Sequence, residues 1–226
     1  ASNVGHYPVF LGLQERPCVV IGTGPEAERK VHGLLEAGAR VTVVTPQPSP
    51  LLEELVVQGK VTFHHRRYSE GDLAGAFLAI AATAEDVDLS KRIADEAERE
   101  RVLLNVMDLP AFCTWIAPAL VHRGKLTLAI STSGLSPAMA RFVKEELEET
   151  VPEEYGMLLE IVAEVRRGLR RRGVRPAPDA WKTALNGDMR DLLAKGDWEG
   201  VMARLLKFLD PQPKANEEGR PHTARR

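Results

Sequence analysis

From Pro17 to Leu104 short apolar runs alternate with stretches whose apolar residues recur at helical spacing. The run "PCVVIG" reads as a strand. In "PEAERKVHGLLEAG", Ala27, Val31, Leu34 and Leu35 share one helical face and Gly38 is the natural stop. "RVTVVTP", rich in β-branched residues, is the next strand. "SPLLEELVVQG" follows as a helix with Ser49 as cap, Pro50 in its first turn and Gly59 as terminator. "KVTFHH" and "AFLAIAAT" are strands, "EDVDLSKRIADEAERE" puts Leu89, Ile93 and Ala97 on one helical face, and "RVLLNVM" is a fifth strand. Strands alternating with helices predict a parallel sheet covered on both faces, joined by right-handed crossovers: a doubly wound α/β domain.

After Asp108 the pattern changes. "APALVHRGKLTLAISTS" predicts two strands joined around Arg123-Gly124, a hairpin rather than a crossover. "LSPAMARFVKEELEE" opens a helix with Ser136 as N-cap and Pro137 at its first position, and Met139, Phe142, Val143 and Leu147 form its apolar stripe. Helical patterns continue through Tyr155, Leu158, Leu159, Val162 and Val165, then Trp181, Leu185, Met189 and Leu192, then Trp198, Met202, Leu205 and Leu209. "RRGLRRRGVRPAPDA" is expected to break the first of these from the second, and its arginines to end a solvated helix where they complement the dipole. "PQPKANEEGRPHTARR" has almost no apolar content and reads as a disordered tail.

Composition narrows the function classes. The 226 residues carry a formal net charge of −2, which gives no electrostatic case for nucleic acid. No apolar run approaches the roughly 20 residues of a membrane-spanning helix, and the first ten residues lack the basic-then-apolar layout of a signal peptide. Cys18 and Cys113 lie in apolar stretches and match no metal spacing, and the six histidines form no HxxxH or HExxH pair. No metal site is expected, and two reduced core cysteines suit a cytoplasmic protein.

The candidate chemistry starts at "VIGTGPEA", which gives Gly22-x-Gly24-x-x-Ala27 directly after a strand and before a helix. Gly22 makes the tight turn, Gly24 lets backbone approach a pyrophosphate, and Ala27 allows close packing of helix on sheet. The helix N-terminus supplies free N–H groups to the phosphate. An ordinary strand–helix turn would look the same, but the βαβ context favours a dinucleotide. One expected part is absent: the acid about 20 residues on that binds the ribose 2′-hydroxyl. The second strand ends in Thr45-Pro46-Gln47, and no Arg follows to hold a 2′-phosphate. Ribose recognition then falls to the backbone around Pro46 or to the Gln47 amide, which leaves NAD and NADP both open.

"NVMDLP" closes the fifth strand with Asp108. In a doubly wound sheet ligands sit at the carboxyl ends of the strands, so a carboxylate there, in a partly desolvated cleft, can act as a base. The plain alternative is a cap for the turn before Pro110. "STSGLSP" is adequately explained as a capped helix start, or else offers Ser131, Thr132 and Ser133 to a substrate carboxylate. "HHRRY", residues 64–68, is a solvated strand end or a basic lip, and Arg141 and Lys144 are equally ambiguous.

The order of "YPVFLGLQERPCVVIGTGPEAERKVHGLLEAGARVTVVTP", "FLAIAAT", "NVMD" and "IAPALVHRGKLTLAISTSGLSPAMARFVKEELE" resembles precorrin-2 dehydrogenase, the dehydrogenase/ferrochelatase module of siroheme synthesis, from about Tyr7 to Glu149. The resemblance implies a homodimer: an NAD-binding Rossmann domain at 1–112, a hairpin-plus-helix dimerisation segment at 113–150, and a helical C-terminal region at 151–210 before the tail at 211–226. It implies NAD-dependent oxidation of precorrin-2 to sirohydrochlorin, and some members also insert Fe²⁺ into that product. Carried over by motif, the cofactor contacts fall on Gly22, Gly24, Pro25, Glu26, Pro46 and Gln47, and the essential aspartate falls on Asp108. The family's Ser/Thr-Gly-Gly-x-Ser-Pro stretch falls on "STSGLSP", with Ser133 where a glycine is usual; its triple-glycine turn is "GTG" here, and Leu109 stands where a second acid is frequent. The rival reading is a non-catalytic NAD-sensing Rossmann module, which would need no base beside the nicotinamide. A different short-chain oxidoreductase lacks support, because no Tyr-x-x-x-Lys pair is present.

Overall fold

The structure, a computed structural model, describes residues 5–210. The expected tail at 211–226 lies outside the described residues. The chain divides into two compact units: one runs to Pro118 and includes Thr132–Ser136, the other comprises Ala119–Ser131 and the chain from Pro137 onward.

The first unit is built on strands β1 (Pro17–Ile21), β2 (Arg40–Val44), β3 (Val61–His64), β4 (Leu78–Ala81) and β5 (Leu103–Val106), in the order β3-β2-β1-β4-β5. Every pairing is parallel. The register sets Ile21 opposite Val44 and Ala81, Val44 opposite His64, and Ala81 opposite Val106, so all five strands end in one row. The residues that follow form a common carboxyl-terminal rim. Chain order reverses between β1 and β4, the place where open α/β sheets bind ligands.

Alternation along β1 builds two cores. Cys18 and Val20 face helices α1 (Pro25–Glu36) and α2 (Pro50–Val57) through Val31, Leu34, Leu52 and Leu55. Val19 and Ile21 face the opposite layer, with Ile93 and Ala97 of α3 (Val87–Glu100) and with Tyr68 and Leu73. Ser49 caps α2 by accepting from the Leu52 N–H at 3.3 Å. α3 ends on Arg101, a left-handed residue at φ 57°, so β5 starts at Leu103 and not at Arg101 as its apolar run suggested.

Tyr68 and Leu73 belong to the β3–β4 connection, which has turns in place of a helix. Its polar groups converge on Glu96, which is buried at 2% exposure. Oε1 accepts from the N–H groups of Gly71 (3.0 Å) and Leu73 (2.9 Å), and Oε2 accepts from the Tyr68 hydroxyl. Three donors offset the desolvation of one carboxylate. Burial, then the bond to Glu96, pushes the Tyr68 phenol well above its ordinary value.

The second unit holds the antiparallel hairpin β6 (Ala119–Arg123) and β7 (Leu126–Ile130), then α4 (Pro137–Thr150), α5 (Glu154–Arg171), α6 (Pro178–Leu185), α7 (Met189–Ala194) and α8 (Trp198–Leu209). Helices α4 and α5 both pack on the hairpin. Arg123, buried at the hairpin's turn, donates from Nε to the Val151 carbonyl (2.6 Å) and from Nη2 to that of Glu148 (2.9 Å), satisfying the end of α4. Gly156 has to be small, since a Cβ there would lie 2.8 Å from the Arg123 carbonyl oxygen.

The segment "RRGLRRRGVRPAPDA" does part the first helix from the second, and the structure sets where: α5 runs to Arg171, because Leu169 is buried on the same face as Val165 and Leu158, and the stop comes at Gly173 (φ 74°). One expectation changes in this unit. The pattern from Trp181 to Leu192 is two helices, parted where Asn186 turns extended and Gly187 takes φ 73°. The buried member of α6 is therefore Ala184, while Leu185 is exposed. Arg204 on α8 closes that break by donating to the carbonyls of Ala184 (2.9 Å) and Thr183 (3.0 Å).

Candidate functional site

The rim of the sheet collects most of the expected site. Gly22 leaves β1 at φ 100°, its N–H donating to the Val44 carbonyl at 2.9 Å. A Cβ there would sit 2.7 Å from the carbonyl oxygen of Ala82, so the crossing between β1 and β4 requires glycine. Gly24, at φ 108°, is the opposite case, because a Cβ on it would meet nothing within 4 Å. Open space over bare backbone at the switch point is what a pyrophosphate needs. Gly24 is also the N-cap of α1, with no side-chain cap bond and Pro25 at the first position, so no side chain takes the place of an anion there. Glu26, exposed in the first turn, pairs with Arg29, and buried Ala27 lets α1 close on the sheet. The residues present fit a dinucleotide.

At the end of β2, Thr45 is buried and its hydroxyl accepts from the Gln47 N–H at 3.3 Å, which turns the chain outward and leaves Pro46 and Gln47 exposed. The neighbouring strand reaches the same spot, where His65 Nε2 lies 3.0 Å from the Pro46 carbonyl oxygen. At the end of β4, Thr83 and Ser90 hydroxyls meet at 2.8 Å and tie the rim to α3.

Asp108 stands one strand further along the rim, in the turn after β5 at φ 61°. It is exposed, so the expected partial desolvation does not arise within the chain: the turn carries the carboxylate beyond the end of the strand. Nor does it cap that turn. The turn is closed by the Leu109 N–H donating to the Val106 carbonyl at 3.2 Å, and the following 3₁₀ turn (Pro110–Phe112) has no side-chain cap. Among the described residues the carboxylate has no hydrogen bond or ion pair. A non-glycine residue held at positive φ with no local return is the kind of strain that marks functional positions.

Cys113, read from sequence only as a core residue, holds this turn. Its Sγ accepts from the Val106 N–H (3.2 Å) and lies within donating distance of the carbonyls of Val106 (3.2 Å) and Leu109 (3.5 Å). Burial pushes its thiol up, against the opposing pull of the Val106 bond, so the proton it donates stays on sulfur. Burial alone pushes Cys18 up to about 11. Both cysteines are free.

Ser131 ends the hairpin and belongs to the second unit, whereas Thr132 and Ser133 belong to the first. The Thr132 hydroxyl is engaged within its own turn, donating to the Ser136 carbonyl (3.1 Å) and accepting from the Ser136 N–H (3.3 Å). Ser133 is exposed at φ 54°, in the left-handed region. That conformation is the physical reason a glycine is usual there. No group of three or more His, Cys, Asp or Glu side chains among the described residues could hold a metal ion. A cleft of about 520 Å³ opens where α3 ends and β5 begins, near Asp95, Arg101 and Thr114, and reaches Phe112 and Cys113.

Sheet order, glycine turn and open switch point define a nucleotide-binding α/β protein, and residues 9–119 match a family of NAD(P)-binding domains. Residues 123–150 match the central segment of siroheme biosynthesis proteins. The chain is 36% identical to the siroheme synthase of Nitrosospira multiformis over 218 residues, covering 94% of this chain and 46% of that protein. It is 38% identical to the siroheme synthase of Methylobacillus flagellatus over 165 residues, 73% of this chain and 35% of that one. Among solved structures it is similar to SirC, a precorrin-2 dehydrogenase, with a TM-score of 0.66 and 26% identity over 90% of this chain and 97% of that one. The chain belongs to the siroheme synthase and precorrin-2 dehydrogenase family. It spans about half the length of the siroheme synthases it matches. No helix among the described residues is long and apolar enough to cross a membrane.

Proposed function

We propose that the chain is an NAD-dependent precorrin-2 dehydrogenase that oxidises precorrin-2 to sirohydrochlorin in siroheme biosynthesis, acting as a homodimer. The observation that carries this reading is Asp108, an unpaired carboxylate on the same rim as the glycine turn. Dehydrogenation removes a hydride and a proton. The nicotinamide, when bound, accepts the hydride; a base must take the proton, and Asp108 is free to do so and to pass it to solvent. A dinucleotide sensor has no use for such a group. Gly22, Gly24 and Pro25 would seat the pyrophosphate, with Glu26, Pro46 and Gln47 beside the cofactor.

Ser131, Thr132 and Ser133 remain the candidates for a substrate carboxylate, with the Thr132 hydroxyl also engaged in its own turn. Residues 113–150 would form the dimer segment: α4 has no buried residue, and Met139 and Phe142 are 50% and 52% exposed on its apolar stripe. Fe²⁺ is a candidate second substrate, with the tetrapyrrole nitrogens as its main ligands and Asp108 again taking protons. Both cysteines being free suits a reducing cytoplasm.

The test is to incubate purified protein with precorrin-2 and NAD⁺ under anaerobic conditions and follow the absorbance spectrum. Conversion to the sirohydrochlorin spectrum is expected. No conversion by folded, dinucleotide-binding protein would sink the reading.

A further inference from the structure

The rim has an unfilled role. A dinucleotide-binding fold of this kind reads the ribose 2′ position with an acid at the end of its second strand, and β2 ends here in Thr45-Pro46-Gln47 with no ionisable side chain. Space supplies what sequence order does not. Register sets His64 beside Val44, and the Thr45 N–H donates to the His64 carbonyl at 3.2 Å, so the first residue past β3 arrives beside the outward turn of β2. That residue is His65, exposed, with Nε2 3.0 Å from the Pro46 carbonyl oxygen and its ring 5.6 Å from that of Phe63.

We propose that His65 reads the ribose 2′ position in place of the missing acid, and that it lets the site accept the 2′-phosphate of NADP as well as the 2′-hydroxyl of NAD. The inference rests on the dinucleotide reading above. A carbonyl oxygen only accepts, so Nε2 carries the proton in the bond to Pro46, and Nδ1 is the nitrogen left over. Bare, Nδ1 accepts from a hydroxyl; protonated, it donates to a phosphate and brings a positive charge. It has no other partner among the described residues.

The charges around it favour an anion. Arg66 is committed, donating to both carboxylate oxygens of Asp72 at 2.8 and 2.6 Å, and His64 Nδ1 lies 3.9 Å from the same carboxylate. Arg67 is exposed, and its side chain has no partner among the described residues. An acid in this place would repel the phosphate; a histidine with the exposed Arg67 two residues on does not.

The experiment measures binding directly, as Kd for NAD⁺ and NADP⁺ by calorimetry, on the full chain and on His65→Ala, His65→Gln and His65→Asp. Wild type should bind NADP⁺ within about tenfold of NAD⁺. His65→Ala should weaken NADP⁺ about tenfold more than NAD⁺, the scale of one charge-assisted hydrogen bond. His65→Gln can keep the Pro46 carbonyl bonded but carries no cation, and should show the same bias with NAD⁺ nearly unchanged. His65→Asp should reject NADP⁺ by about 100-fold while keeping NAD⁺. Binding of both cofactors with a ratio that none of the three variants moves would overturn the inference and leave the dehydrogenase reading standing. If wild type bound neither, both would fall.

Discussion

The sheet of the first unit and the hairpin-plus-helix of the second are similarly apolar in sequence, yet they end up differently. Every residue of β4 is buried, and alternate residues of β1 fill two cores, one on each face. In β7 no residue is buried, and α4, whose stripe is as regular as that of α1, buries none either. A parallel sheet wound on both faces uses up its own apolar surface, whereas a two-stranded sheet keeps exposed edges, and α4 packs on it with its apolar stripe still half exposed. The difference teaches where each region's binding partner comes from. In the proposed function the closed unit's polar rim serves a small molecule, and the open one's apolar face serves a second copy of the chain.

If the closed unit separates its chemistry from its stability, Asp108→Asn should show it with the largest effect. Dehydrogenation should fall by about 10²–10⁴, while NAD⁺ affinity and melting temperature stay near wild type, because the carboxylate bonds to nothing among the described residues. Paired single-turnover kinetics and calorimetry check this. Full activity in the variant would remove Asp108 from the mechanism. In the open unit, Phe142→Asp should weaken dimerisation by about 30- to 1,000-fold, the range for an apolar anchor at an interface. Light scattering over a concentration series reads it. A wild type that is monomeric at micromolar concentration would break the comparison at its root.

Most of the closed unit was legible because period-2 and period-3.6 patterns report burial, and burial decides the sheet. Ser49, Gly38 and the glycine turn behaved as their chemistry dictates. What was not legible came from contacts between residues distant in sequence. Glu96 lies three residues after Ile93 on the apolar face of α3 and looks like a polar intrusion until the Tyr68–Leu73 connection brings it three donors. His65 becomes relevant to β2 only through the β2–β3 register. Cys113 read as core, and its role in the Asp108 turn depends on a hydrogen bond across seven residues. In the open unit, the break between α6 and α7 was hidden because Trp181, Leu185, Met189 and Leu192 keep helical spacing through Asn186-Gly187.

Glu96 gives a prediction of intermediate size. Glu96→Ala strands the Gly71 and Leu73 N–H groups and the Tyr68 hydroxyl, and leaving buried groups unsatisfied costs on the order of 1–3 kcal/mol. Urea denaturation should show that loss with dimerisation unaltered, since the second unit makes no use of this carboxylate. A smaller effect belongs to Asp72. Its burial alone would raise its carboxyl, but the bonds from Arg66 and the Ser69 N–H outweigh this and hold it below the usual 3.8. A depressed folded value means that the contribution is present above pH about 4 and is lost as pH falls through it. Asp72→Asn should therefore lower stability modestly at pH 7, where the half-exposed Arg66 is screened by water, and flatten the acid limb of the stability curve below pH 4. An acid limb identical to wild type would show that the pair adds nothing.

The smallest effect should be a gain. Ser133 sits at φ 54° in a turn whose next residue, Gly134, is also left-handed at φ 79°. An L-residue in this region carries a cost of about 1–2 kcal/mol, which Ser133→Gly removes, while the glycine adds back up to about 1 kcal/mol of unfolded-state entropy. The balance is a stabilisation of less than about 1 kcal/mol, read as a rise in melting temperature of roughly 1–3 °C for a chain of this size. The turn belongs to the closed unit, so the shift should appear equally in the Phe142→Asp background, where the proposed interface of the open unit is broken. An unchanged or lowered melting temperature would mean that the serine's own side-chain bonding outweighs the backbone cost. A rise only in the dimeric protein would mean that the turn is set by assembly and not by the unit that contains it.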